Sequence, residues 1–166
     1  MNMLHRIMRH LIITRRHARR AFPAASLKSI QATIARGEQR HRAEVRLVIE
    51  PALSLRDALA GMSARQRARE LFAFHHIWDT EENCGILVYV NLADHRVELI
   101  ADRGVQRLLH ADQWQAVCQT MADGFARHDH PGAVNAALDQ LGDMLALCLP
   151  ATGARPNELS NAPLMI

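Results

Sequence analysis

Two apolar runs separated by a short polar break constrain this chain more than any other feature. Ile86-Leu-Val-Tyr-Val-Asn-Leu92 reads as a buried strand, and Val97-Glu-Leu-Ile-Ala101 as a second. Between them, Ala93-Asp94-His95 leaves no room for a crossover helix, so the second strand must return antiparallel. The return carries Asp102-Arg103-Gly104 back beside Glu82-Asn83-Cys84-Gly85. Gly85 and Gly104 then stand where positive φ or close backbone approach is expected.

Upstream, Val45–Ile49 reads as a strand closed by Pro51. Ser54-x-x-Asp57 and Ser63-x-x-Gln66 have the spacing of helix-starting boxes. The helix over 63–76 turns Ala64, Ala68, Leu71 and Phe72 inward and leaves Arg65, Arg67 and Arg69 as a solvated face. Strand, helix, strand predicts a parallel pair with a right-handed crossover. The starts of both parallel strands and the end of the returning strand share one rim, which gathers Glu44, Asn83 and Asp102. Asp79, Glu81 and Glu82 lie in the loop that reaches it. Carboxylates with an amide oxygen are hard donors, suited to Ca²⁺ or Mg²⁺ rather than Zn²⁺. Glu38-x-x-His41-x-x-Glu44 stacks on one face while helical, which brings His41 in as a base or softer ligand. Glu38 and His41 also suit plain solvation of the helix end among Arg36, Arg40 and Arg42. The opposite rim, where open α/β sheets usually bind ligands, holds the thinner set Glu50 and Asp94.

Three further helices complete the pattern. Ser26 is the expected N-cap of one that carries Leu27, Ile30 and Ile34 to about Gln39. Asp112 opens another, with Trp114, Val117, Cys118, Met121 and Phe125 at helical spacing. Pro131 opens the last, whose Val134, Leu138, Leu141, Leu145 and Cys148 line one face. The reading is an α/β chain: a single three-layer α-β-α sandwich with a small mixed sheet, plus a basic N-terminal helix. Residues 1–25 form the leader, 26–150 the domain and 151–166 an extended tail in which Asn157-Glu158-Leu159 is the stretch to dock back.

Charge separates the leader from the rest. Residues 1–36 carry seven Arg, one Lys and no acid, whereas 37–166 carry 12 basic and 17 acidic groups, a net of −5. Leu4, Ile7, Met8, Leu11 and Ile12 form an apolar stripe on a short helix. That helix suits an anionic membrane surface, an unidentified protein partner or its own domain, through residues 1–20. Nucleic acid is disfavoured, because Phe22 is the only ring available for stacking. The run Leu11–Ile13 is far too short for a signal-peptide core or a transmembrane segment. Cys84, Cys118 and Cys148 leave one thiol unpaired under any pairing, and Cys118 and Cys148 fall on apolar stripes. Buried free thiols imply a reducing compartment, hence a cytoplasmic protein, peripheral at the membrane if the leader binds there. No Gly-rich phosphate loop, nucleophile elbow, zinc signature or Cys–His nucleophile pattern is present.

Four pieces in order carry a family resemblance: Ala43–Leu53, Asn83-x-Gly85-Ile-Leu-Val-Tyr, Val97–Gly104, and Gly124-Phe with His130-Pro-Gly-Ala-Val134. Over residues 26–150 the chain resembles the TPM domain, a bacterial and plant family that includes a thylakoid-lumen acid phosphatase and photosystem II repair proteins. Asp102-Arg103 stands where many members have a glycine and an aromatic residue. The rim read from the strand directions favours an interaction or binding module that takes Ca²⁺ or Mg²⁺ there, with Glu44, Asp79, Glu82, Asn83, Asp102 and His41 as ligands. Alternatively, the resemblance implies metal-assisted phosphoester hydrolysis, with Asp102 as ligand or base and Arg103 contacting phosphate.

Overall fold

The computed structural model describes residues 3–153 and 156–166. Helices α1 (Met3–Ile12), α2 (Arg15–Ala21) and α3 (Ala24–Glu38) precede strand β1 (Glu44–Glu50). Next come α4 (Leu55–Leu59), α5 (Ala64–Phe74), and the hairpin β2 (Gly85–Asn91) and β3 (Arg96–Ala101). Then follow α6 (Arg103–Gln106), α7 (Ala111–Ala126), α8 (His130–Cys148) and β4 (Leu164–Met165). The sheet order is β3-β2-β1-β4. β1 and β2 are parallel with Glu44 opposite Gly85, and β2 and β3 are antiparallel with Ile86 opposite Ala101.

Alternation along the strands divides the interior. Val45, Leu47 and Ile49 with Ile86, Val88 and Val90 face α3, α7 and α8, in a core that includes Ile34, Val117, Met121, Leu138 and Leu141. Val48, Leu87 and Tyr89 face Ala64, Ala68 and Leu71 of α5 on the other side. This is the expected three-layer sandwich. Both serine boxes form as read: Ser54 Oγ accepts from Asp57 N at 3.1 Å and Ser63 Oγ from Gln66 N at 3.2 Å. α3 starts two residues before Ser26, at Ala24, with Pro23 rather than a serine at its cap position.

The C-terminal segment does more than extend. Leu164 and Met165 pair parallel with Val48 and Ile49, adding a fourth strand that the residue pattern had not disclosed. Arg46 donates to the carbonyls of Ser160 and Ala162 at 2.6 and 2.9 Å, which ties the approach to this strand. A two-residue strand without alternation carries no periodic signal; only the exposed edge of β1 makes it form. The leader is likewise joined to the domain, since Ala18 and Phe22 lie buried in the main core. All three cysteines are free, as expected, but the fully buried one is Cys84, while Cys118 and Cys148 are half-buried.

Gly85 and Gly104 mark close approaches. A Cβ on Gly85 would stand 1.8 Å from the Ile77 carbonyl oxygen, and one on Gly104 2.6 Å from that of Asn83. The positive φ at this end belongs to Asn83, at 53°. At the far ends of the parallel pair, Arg67 leaves the solvated face foretold for it. Its guanidinium grips the buried Glu50 carboxylate at 2.9–3.2 Å. Tyr89 Oη donates to Glu50 at 2.5 Å, Asn91 Nδ2 to Tyr89 Oη at 2.9 Å, and Asp94 N to Asn91 Oδ1 at 2.9 Å. The supposedly thin rim is therefore a closed polar network beneath α5. Tyr89→Phe removes a donor from buried Glu50 and strands Asn91, so urea denaturation should show a loss of about 1–3 kcal/mol.

Candidate functional site

The rim predicted for Glu44, Asn83 and Asp102 exists. Glu44 lies opposite Gly85, whose carbonyl accepts from Asp102 N at 2.9 Å, and Gly104 N donates to the Asn83 carbonyl at 3.0 Å. The side chains then diverge. Asp102 turns into its own helix start, where Oδ1 accepts from Arg103 N at 2.6 Å, and Oδ2 is enclosed with no hydrogen-bond partner among the described residues. Arg103 and Asp79 are exposed. Glu82 forms an ion pair with Arg42. Among the described residues, no group of three or more His, Cys, Asp or Glu side chains is arranged to hold a metal ion.

What the fold does gather is the first part of the pattern. A cavity of about 410 Å³ opens where α3 ends and β1 begins, and Glu38, His41, Arg42 and Glu44 line it. Its outer wall comes from the C-terminal segment, through Asn157 and Asn161 among others. Asp79, Glu82, Asn83, Asp102 and Arg103 are outside this lining. The segment is held on by backbone groups: Leu159 N donates to Glu44 Oε2 at 3.0 Å, and Glu81 N to Glu158 Oε2 at 2.8 Å. Asn157 to Leu159 thus dock back as the sequence suggested. Asn161 was missed because nothing local marks it; it belongs to the site only through the β4 pairing.

Two groups in the cavity have displaced proton affinities. Burial pushes the Glu38 carboxyl up to about 7; the Val45 N–H opposes this and the neighbouring Glu44 charge adds to it. Glu38 Oε1 accepts that Val45 N–H at 3.0 Å, and Asn161 supplies a second side-chain hydrogen bond. Burial pulls His41 down to about 4, against the opposing pull of the Ala43 backbone and with help from the Arg40 charge. The imidazole sits beneath α3 and α8, with Nε2 3.1 Å from where a Cβ on Gly37 would stand and 3.8 Å from one on Gly142. Among the described residues, His41 Nδ1 and Asn161 Oδ1 are both buried with no partner at hydrogen-bonding geometry, although the Ala43 backbone lies close enough to His41 to act on its charge. The site can therefore keep the Glu38 carboxyl protonated near neutral pH beside Glu44, together with one amide oxygen that has no hydrogen-bond partner among the described residues.

The TPM domain description matches residues 18–144. The chain belongs to the TPM domain family. This TPM domain is also similar to the NMR structure of BA42 protein from the psychrophilic bacterium Bizionia argentinensis, with a TM-score of 0.78 and 20% identity. That alignment covers 87% of this chain and 94% of BA42, and at this identity it shows the fold alone. No curated protein matches the chain. The family match begins inside α2 and ends inside α8, so α1 and the C-terminal wall of the cavity lie beyond it. No helix among the described residues of this TPM domain is long and apolar enough to cross a membrane.

The two displaced groups oppose each other in pH dependence. Glu38, raised on folding, contributes stability that is present below its unfolded value and lost as pH rises through about 7. His41, lowered on folding, contributes stability that is present above its unfolded value and lost as pH falls through about 4. Between these limits the pair nearly cancels in the unaltered chain. In Glu38→Gln only the His41 contribution remains. Thermal denaturation should then show stability rising from pH 4 to 6.5, and at pH 8 this variant should exceed the unaltered chain by on the order of 2–3 kcal/mol.

Proposed function

We propose that this TPM domain is a binding module, and that its ligand is a divalent cation, Ca²⁺ or Mg²⁺, taken at the cavity beneath the C-terminal segment. The observation that carries the reading is the shared lining of Glu38, Glu44 and Asn161: burial raises Glu38, the Glu44 charge adds to it, and Asn161 Oδ1 is buried with no hydrogen-bond partner among the described residues. Two carboxylates and an amide oxygen form a hard donor set of the kind Ca²⁺ and Mg²⁺ prefer. The fit is narrower than the rim read from sequence. Glu38, Glu44 and Asn161 would hold the ion, with His41 behind them. Asp79, Glu82, Asn83 and Asp102 lie outside the cavity lining. A bound cation would replace the proton on Glu38 and, through Asn161, fasten the C-terminal segment to the start of β1. The role is therefore structural and recognitional, and no nucleophile is needed.

The phosphoester reading rests on the family resemblance. Asp102 and Arg103, which it assigned to chemistry, do not line the cavity, and Asp102 serves as a helix cap.

Scanning calorimetry with and without millimolar CaCl₂ or MgCl₂ tests the proposal. At pH 8, an ion at one hundred times its Kd should raise Tm by about 5–10 °C. At pH 5.5 the rise should shrink, because a proton competes for Glu38. Glu44→Gln and Asn161→Ala should abolish it. An unchanged Tm at pH 8 would remove cation binding. Hydrolysis of p-nitrophenyl phosphate that Asp102→Asn eliminates would favour the hydrolase instead.

A further inference from the structure

α1 is strongly amphipathic, yet it lies on the domain the wrong way round. A surface helix normally buries its apolar stripe and leaves its cations in water. Here the polar side is docked. Arg6 binds Asp94 through Nε at 2.8 Å and a terminal nitrogen at 2.7 Å, and that nitrogen also donates to the Met62 carbonyl at 2.6 Å. His10 is only 6% exposed. Leu53 N donates to its Nδ1 at 3.0 Å, which leaves Nε2 to donate to Asp94 Oδ1 at 3.1 Å. Burial alone would push the Asp94 carboxyl up, but Arg6 and His10 outweigh it and hold it below the ordinary aspartate range. This latch therefore keeps Asp94 a carboxylate throughout the neutral range.

The apolar side is left facing out. Met8, Leu11 and Ile12 are 48%, 54% and 56% exposed. α4, the element on which α1 packs, adds Leu55 and Leu59, both about half exposed. Directly after this stripe, α2 presents Arg15, Arg16, Arg19 and Arg20, all exposed and none in an ion pair among the described residues. Residues 1–36 contain no acid, whereas the remainder is net negative by five.

We infer that α1 and α2 seat this TPM domain on an anionic membrane surface, with Met8, Leu11 and Ile12 inserted among the acyl chains and the four α2 arginines on the headgroups. An inserting helix needs a charged flank and an apolar face together, because neither alone holds a protein at a bilayer. The Asp94 latch supplies what a free amphipathic peptide lacks: a helix already formed and already oriented outward. The acidic remainder of the domain is repelled by the same surface, which sets the orientation. This inference is independent of the cation reading.

Co-sedimentation of the full chain with vesicles of phosphatidylcholine and phosphatidylglycerol, and with phosphatidylcholine alone, tests it. Binding is expected to the mixed vesicles, at least tenfold weaker to the neutral ones, and reduced in 0.5 M salt. Leu11→Ser with Ile12→Ser, and separately Arg15, Arg16, Arg19 and Arg20→Gln, should each lower binding at least tenfold while leaving Tm unchanged. These side chains are exposed, so folding should tolerate the changes. No binding by the unaltered chain overturns the inference, and so does binding that survives the Leu11 and Ile12 changes. A dimer in sedimentation velocity that those changes dissolve, without vesicle binding, would assign the stripe to a second copy instead.

Discussion

The parallel pairing of β1 with β2 is the constraint on which the rest depends. It places the starts of the two central strands at one end of the sheet and their finishes at the other. β1 begins and ends in a glutamate, and both are buried. A buried carboxylate without partners is costly, so each end of the strand must be matched by something brought from elsewhere in the chain.

The two ends are matched differently. At the finish, Glu50 receives the Arg67 guanidinium and the Tyr89 hydroxyl, and Asn91 extends the network to the Asp94 turn. Asp94 in turn receives Arg6 and His10 of α1. A continuous chain of polar contacts thus runs from the sheet to the leader helix, and it explains why that helix docks through its cations. At the start, Glu44 receives the Leu159 N–H and lines a cavity with Glu38, which burial keeps partly protonated, and with Asn161 and His41, each with a buried atom lacking a hydrogen bond among the described residues. Two such atoms gathered in one cavity, Asn161 Oδ1 and His41 Nδ1, make it a natural place for a ligand. The cavity and the outward helix are thus consequences of the same pairing seen at opposite ends.

Much of this was legible in the residues. The three-residue break at Ala93-Asp94-His95 forces an antiparallel return, and the strand–helix–strand order forces the parallel pair, because both follow from chain length alone. The serine boxes at Ser54 and Ser63 form as read because a cap is a local hydrogen bond between residues three apart. Glu38, His41 and Glu44 belong to one cavity, as their spacing suggested. The rim ligands Asp79, Glu82 and Asp102 share the correct edge but not the cavity. Backbone register places a residue at an end of the sheet, whereas competition among Arg42, a helix start and solvent decides where its side chain goes.

By itself, the sequence determined the layers, the strand directions and the family, since these rest on periodicity, loop length and motifs read within short windows. Only the tertiary structure decided that residues 164–165 complete the sheet, that Arg67 serves Glu50, that Asn161 meets Glu38, and that α1 turns its apolar side outward. Each of those outcomes joins groups distant along the chain, and each is settled by which buried polar atom most needs a partner, a quantity that exists only once the chain has folded.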